Sequence, residues 1–333
     1  MKTLTGTLAT ALLLVVGTAC SSGSDANTKQ TALAGDFVAG GLLADSAQDL
    51  PYGDGLVVHF DGAGTASWTG VGKAFPDFPY GDRGNGSVTL DADLKGVLSP
   101  DGELLVLGSA PGASGPEYWA LVKASPDMRI GAWRGDYLGF AVGARNGGPC
   151  WLETVRLTPD GMGIVAWTVV GRAHEATGQY GMRDGVLSVF GSPVDTSEDH
   201  TTGALTRDGN VVLLTDIDAP DRGFMIAVRR STQGMASAWQ GTYECVQFGL
   251  DTSTPVCWTA RVTLEADGAG GYAYRLQDSF GEVETGAGTY VQAPDGTLTL
   301  DIGVPGIVSP DGDTVLLGLD AGAQMSLVVG TRR

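Results

Sequence analysis

Histidine and cysteine are scarce in this chain, with three His and four Cys among 333 residues. No two histidines stand four apart, so there is no helical zinc pair. There is no Cys-x-x-Cys, which argues against a thioredoxin-like redox centre or a zinc ribbon. Gly-x-Ser-x-Gly and Ser-x-x-Lys are also missing, so the sequence carries neither a hydrolase elbow nor a Ser–Lys motif. Positive charge is short as well: 20 Lys and Arg against 38 Asp and Glu, a formal net charge of −18. A nucleic-acid partner is not expected, because no basic surface exists to displace phosphate counterions. Adsorption to anionic lipid by charge is disfavoured for the same reason. Helical periodicity is almost missing after residue 20, and no later segment is apolar enough to span a bilayer as a helix.

The chain does hold 43% hydrophobic residues and 52 glycines, the composition of a folded, turn-rich protein rather than a disordered one. Its start is the most specific feature. Lys2 precedes an apolar stretch, Leu4 to Val16, and then come Gly17, Thr18, Ala19 and Cys20. The stretch is too short for a membrane-spanning helix and reads as an export signal, residues 1–19. Small residues before a cysteine resemble the lipobox of bacterial lipoproteins. That resemblance implies cleavage before Cys20, acylation of its thiol (palmitate among the acyl groups) and a membrane partner held through the N-terminal lipid. Gly17 departs from the leucine common at that place. Residues 20–34 then read as a tether, and Ser21 rather than Asp resembles the pattern sorted to the outer membrane in Gram-negative lipoproteins.

Beyond the tether the chain repeats. A Gly-x-aromatic triplet opens three copies, at Gly35, Gly135 and Gly241, spaced by 100 and 106 residues. Trp133 and Trp239 stand two residues earlier in the last two copies. An Asp-Gly-x-Gly follows 25 or 26 residues after each opening glycine, beginning at Asp61, Asp160 and Asp267. A second Asp-Gly, at Asp101, Asp208 and Asp311, precedes a continuous apolar run, and each copy closes on an apolar stretch ending in a cation. The expected units are residues 35–125, 131–231 and 236–333, joined by links rich in Ser, Gly, Pro and Gln.

Each copy reads as about eight strands, because apolar and polar residues alternate and Asp-Gly turns lie between the runs. Two all-β architectures fit: three eight-stranded antiparallel barrels, or one six-bladed β-propeller with two blades per copy. Five consecutive strands with tight links in the third copy favour the barrels, since a propeller needs a crossing loop after every fourth strand. The continuous runs Leu104–Leu107 and Val211–Leu214 look buried on both faces, as packed barrels or blades would make them. The order of Gly-x-Tyr opening, Leu-x-x-Asp-Gly turn, second Gly-x-Tyr and closing meander resembles small lipocalin-like barrels of bacterial lipoproteins. Gly241-Thr242-Tyr243, Leu264 to Gly268, Gly288-Thr289-Tyr290 and Asp295 to Leu298 carry it best. A barrel that closes on itself implies that residues 236–333 fold alone.

Candidate chemistry is thin. His59 sits in an apolar run beside a turn and reads as a satisfied structural histidine; His174 makes no pair, and His200 follows Glu198 and Asp199 in a polar loop. The Asp-Gly turns lack the aspartate ladder of a calcium loop and read as solvated turns. Cys245 and Cys257 lie on what read as the first two strands of the third copy, so a Cys245–Cys257 disulfide is expected, with Cys150 left over. The recurring pairs Trp133/Trp239 and Trp151/Trp258 read as core or barrel plugs rather than a ligand surface. No catalytic residue, metal site or cofactor is assigned. The expected function is that of a lipid-anchored, non-enzymatic binding or scaffolding module of the cell envelope, whose partner is a small ligand or an envelope protein. A lipocalin-like small-ligand carrier is the second reading, and a carbohydrate hydrolase on a propeller the third.

Overall fold

The computed structural model describes residues 33–43, 56–70, 73–74, 77–91, 93–111, 113, 116–145, 150–172, 175–190, 200–216, 221–232, 237–251, 256–320 and 324–333. Cys20, the signal, nearly all of the tether and His174 lie outside them. The described chain is β-structure apart from one 3₁₀ turn, Ile130–Ala132.

The second unit comprises β10 (Tyr137–Arg145), β11 (Cys150–Pro159), β12 (Ile164–Val169), β13 (Glu175–Arg183), β14 (Val186–Phe190), β15 (His200–Leu205), β16 (Val211–Asp216) and β17 (Asp221–Arg229). The third comprises β18 (Gln240–Asp251), β19 (Val256–Asp267), β20 (Gly271–Asp278), β21 (Val283–Gln292), β22 (Thr297–Leu300), β23 (Pro305–Val308), β24 (Thr314–Asp320) and β25 (Gln324–Arg332). In each, neighbours pair in chain order and the last strand pairs the first, β17 with β10 and β25 with β18, closing an eight-stranded antiparallel barrel.

The first unit has β1 (Ala34–Leu43), β2 (Leu56–Asp61), β3 (Thr65–Gly70), β4 (Lys73–Ala74), β5 (Phe78–Asp82), β6 (Ser87–Leu90), β7 (Leu94–Leu98), β8 (Leu104–Ser109) and β9 (Glu117–Lys123). It closes through β1–β2, β2–β3 and β3–β5, with the two-residue β4 as an extra pairing on β3. The barrel architecture therefore holds. The six-bladed propeller is overturned, since each unit's outer strands are joined to one another and no sheet edge is left to form a blade.

The repeated turns explain the repeated letters. Gly35, Gly135 and Gly241 have φ of +103°, +113° and +110°, a region that residues with a Cβ rarely enter. At the Asp-Gly-x-Gly turns, Asp61 Oδ1 accepts the N–H groups of residues 63, 64 and 65, and Asp160 Oδ1 those of 162, 163 and 164. Asp267 Oδ1 does the same for residues 269 and 271. Those bonds hold all three carboxyls below the usual carboxylate range.

One end of every barrel is stoppered in the same way. Trp133 and Trp239 are fully buried, and Leu33 takes their place in the first barrel. A tyrosine from the fourth barrel strand (β5, β13 and β21) lies against each and donates its hydroxyl to that residue's carbonyl: Tyr80 to Leu33 at 2.8 Å, Tyr180 to Trp133 at 2.8 Å, Tyr290 to Trp239 at 2.7 Å. The aromatic of the opening triplet adds a second tie, with Tyr137 donating to the carbonyl of Gly209 and Tyr243 to that of Gly312. Phe37 has no hydroxyl to offer, so the first barrel lacks this bond.

The three barrels share a fourth core between them. The continuous apolar runs split by parity: Leu105, Leu107, Val212, Leu214, Val315 and Leu317 point into their own barrels, while Leu104, Val106, Val211, Leu213 and Leu316 point into the shared core. Tyr118 stacks on Phe224 at 5.8 Å and meets Phe248 edge-on at 6.1 Å, which brings one ring from each barrel to the centre. The second Asp-Gly turns meet at the stoppered end. Asn210 donates to both Asp208 and Asp311, and Glu103 accepts the N–H of Arg207 at 2.9 Å. All three turn aspartates stay exposed, as expected; Asp101 bonds within its own turn, whereas Asp208 and Asp311 are bridged between barrels by Asn210. Burial raises Asp208 and Glu103 above the ordinary carboxylate range. On Asp311 burial acts the same way but is outweighed, mainly by hydrogen bonds from Ser309 and the Asp313 N–H, and the net shift is downward.

The Cys245–Cys257 disulfide does not form, and the register shows why. Cys245 faces Val262, whereas Cys257 faces Leu250, five pairs away along the same ladder. Five residues of strand span about 17 Å, far beyond disulfide reach. Five is also odd, so the two thiols sit on opposite faces: Cys245 is buried inside the barrel, and Cys257 packs against the shared core. Cys150 begins β11, opposite Ala144.

Candidate functional site

The stopper leaves the opposite end of the third barrel as the place where a ligand has room. A cavity of about 370 Å³ opens there. Its walls are mostly apolar, with Trp258, Leu264, Leu276, Ile302, Leu319 and Val328 among the lining residues, and Tyr272, Tyr274, Glu284 and Gln324 supply polar atoms.

Register explains why this barrel is open. On the third strand of each barrel one inward position holds Trp68, Trp167 and Tyr274 in turn, facing the equivalent residues Val58, Leu157 and Leu264. On the last strand, Trp119 of the first barrel faces Gly41, and its counterpart in the third, Val328, faces Gln247. The first barrel therefore closes its interior with Trp68 and Trp119, whose ring centres lie 4.9 Å apart, and with Phe78 against Trp68. The third barrel has a smaller ring and a valine at those two positions. Its own tryptophan at this end, Trp258, lies flat on Gly249, where an added Cβ would come 2.1 Å from the ring. The plug expected of Trp133 and Trp239 is found. Trp151 and Trp258 are instead half-buried, and Trp258 is wall rather than stopper.

Two tyrosines line the β20 side. Tyr274 lies over Gly286 and Tyr272 over Gly288, positions where a Cβ would come within 2.5 and 2.8 Å of the rings. Tyr274 donates to Glu284 at 2.7 Å, and Tyr272 to Asp301 at 3.3 Å. The carboxylate bond, then burial, pushes Tyr274 up to about 12; burial, then Asp301, does the same for Tyr272. Both phenols are held neutral, as donors to carboxylates. Neither is a proton-transfer group near neutral pH.

His59 pairs with Asp36 at 2.7 Å on the exposed face of the first barrel, well away from this end. The side chain of His200 lies outside the described residues. Among the described residues no group of His, Cys, Asp and Glu is arranged to hold a metal ion, and no helix is long and apolar enough to cross a membrane. Sequence reasoning missed the cavity, because apart from Leu264 and Trp258 its lining residues stand in no motif and only the register brings them together.

The fold and this end together define the class: three fused eight-stranded barrels with a shared core and an apolar cavity in the last. No family model matches the chain, and no curated protein does. Among solved structures, a tryptophan-to-alanine mutant of Transferrin Binding Protein B from Haemophilus parasuis is similar at 11% identity and a TM-score of 0.33, over 90% of this chain and 76% of that one. Transferrin Binding Protein B from serogroup B Neisseria meningitidis gives 9% and 0.31, over 84% and 65%. A protein with unknown function from Nostoc punctiforme gives 10% and 0.23, over 90% and 96%. At this distance they define neither a family nor a ligand.

Proposed function

We propose that this chain is an exported, lipid-anchored, non-enzymatic binding module of the cell envelope, and that it binds a small apolar molecule in its third barrel. The carrying observation is the cavity of about 370 Å³ with apolar walls, in a barrel whose first homologous copy is filled by two tryptophans. A space of that size and lining is typical of small-molecule sites. Apolar burial supplies the affinity, at about 25 cal/mol per Å² of ligand surface removed from water. The lining tyrosines, held neutral as donors to Glu284 and Asp301, suit retention rather than turnover. The direct test uses a neutral fluorescent probe, N-phenyl-1-naphthylamine. It is expected to bind one per chain and to quench Trp258 by energy transfer. Leu319→Trp, which fills the cavity, should weaken binding at least tenfold. Unchanged probe affinity in that variant removes the cavity from consideration.

The anchoring half of the proposal rests on the apolar run that ends at Gly17-Thr18-Ala19-Cys20. Cells expressing Cys20→Ala are expected to yield a chain that takes up no palmitate analogue and leaves the membrane fraction. Continued labelling of that variant shows that Cys20 is not the lipid site. The outer membrane is the proposed destination, on the strength of Ser21.

A further inference from the structure

The cavity has a charge preference that its apolar walls alone do not impose. Its described lining residues include a carboxylate, Glu284, and no Lys, Arg or His. Asp301 lies next to it through Tyr272, and Glu282, on the β20–β21 connection, and Asp320, the last residue of β24, stand at the same end of the barrel. Arg275, the nearest cation on β20, is odd-numbered in a strand whose even positions face inward, so it points to the outer surface. Glu284 lies on the inward side of β21, opposite Leu276, and stays exposed because the barrel is open above it.

Resting on the binding reading above, we propose that the third barrel selects an amphiphile with a cationic head: the apolar part fills the cavity and the organic cation sits at the mouth beside Glu284. Three observations on this end agree. The carboxylate is already oriented, since Tyr274 donates to it at 2.7 Å, and a pre-set anion attracts a cation without further ordering cost. Tyr274, half-buried over Gly286 and bonded to Glu284, puts an aromatic ring beside that carboxylate for a cation at the mouth to meet. An anionic head would enter a site with carboxylates and no positive partner, where its desolvation goes uncompensated. The overall charge of −18 adds long-range attraction for cations and repulsion for anions.

The test compares three ligands with one tail and different heads: decyltrimethylammonium, decyl maltoside and decyl sulfate, each displacing the naphthylamine probe from the mature full-length chain below its micellar concentration. The cation is expected to bind at least tenfold tighter than the sulfate, with the maltoside between them. That preference should shrink in 0.5 M salt. Glu284→Gln should lower the affinity for the cation severalfold and leave the maltoside unchanged. Equal affinities, or a preference for the sulfate, overturn the charge assignment and leave the apolar-cavity reading intact. If Leu319→Trp leaves cation binding unchanged, the cation is held by the acidic surface and the assignment fails. If none of the three displaces the probe, the cavity reading fails with it.

Discussion

Replacing Trp239 by alanine is expected to destabilise the chain by about 3–5 kcal/mol, the range for removing a fully buried aromatic side chain from a core that cannot collapse around the gap. Trp239 is completely buried. Its ring is held by Tyr290 at 4.7 Å and Tyr272 at 6.0 Å, and its backbone is fixed from both sides: the N–H donates to Gln292 and the carbonyl accepts from Tyr290. Those backbone ties survive the substitution, so the strands cannot close in and the cavity persists. Trp239→Phe is the informative partner. It keeps most of the ring and removes an indole N–H that has no protein partner among the described residues, so it should recover most of the loss. Urea unfolding followed by tyrosine and tryptophan fluorescence measures both. A loss below about 1 kcal/mol for the alanine variant would mean that the stoppered end is loosely packed.

Much of the fold can be read from the letters because turns and parity are local. Glycine at the opening triplet is needed for its positive φ, and an aspartate four residues before a strand start is needed to collect the turn's N–H groups. Both recur because the geometry recurs. The runs from Leu104 and Val211 are apolar at every position for a physical reason: one parity fills a barrel and the other fills the space between barrels. That signal was legible, although it could not by itself separate packed barrels from blades. Closure could not be read with the same force, since it depends on β18 meeting β25, about 80 residues apart in sequence.

The failures have a common cause in register. Cys245 and Cys257 looked like neighbours because they sit on consecutive strands joined by a loop. Whether two residues on a hairpin meet depends on where the turn centres, and a displacement of an odd number of residues moves one of them to the other face. The cavity was missed for the same reason. Tyr274 in place of Trp68 and Trp167, and Val328 in place of Trp119, are informative only once the ladders show that these positions correspond. No single-position pattern carries that correspondence. The exposure expected of the aspartates at 101, 208 and 311 is found, but the bridge that Asn210 makes from Asp208 to Asp311 follows from threefold packing, which no copy reveals alone.

That packing also decides how a single unit behaves. Residues 236–333 form a closed barrel with both edge strands paired, the property that suggested independent folding. The outer face of that barrel, however, contributes Val246, Phe248, Leu250, Ile307, Leu316, Met325, Leu327 and Val329 to the shared core. Burying side chains of this kind is worth about 1.5–3 kcal/mol each, so the fragment forgoes on the order of 10–20 kcal/mol as an upper bound. A contiguous apolar face of that extent is characteristic of an interface, not of a monomer surface. The strand ladder and the Trp239 stopper lie within the fragment, so its secondary structure should survive. The expressed fragment is therefore expected to give a β-type circular dichroism spectrum and to self-associate at micromolar concentration, seen by light scattering. Changing Phe248, Ile307 and Leu327 together to Lys or Gln should return it to a monomer with dispersed NMR signals, because these three point away from the barrel interior. The same triple change in the full chain should separate the third barrel from the other two and lower the unfolding midpoint. A wild-type fragment that is monomeric and stable would show that the shared core contributes little, and that the three barrels are joined by their links rather than by their packing.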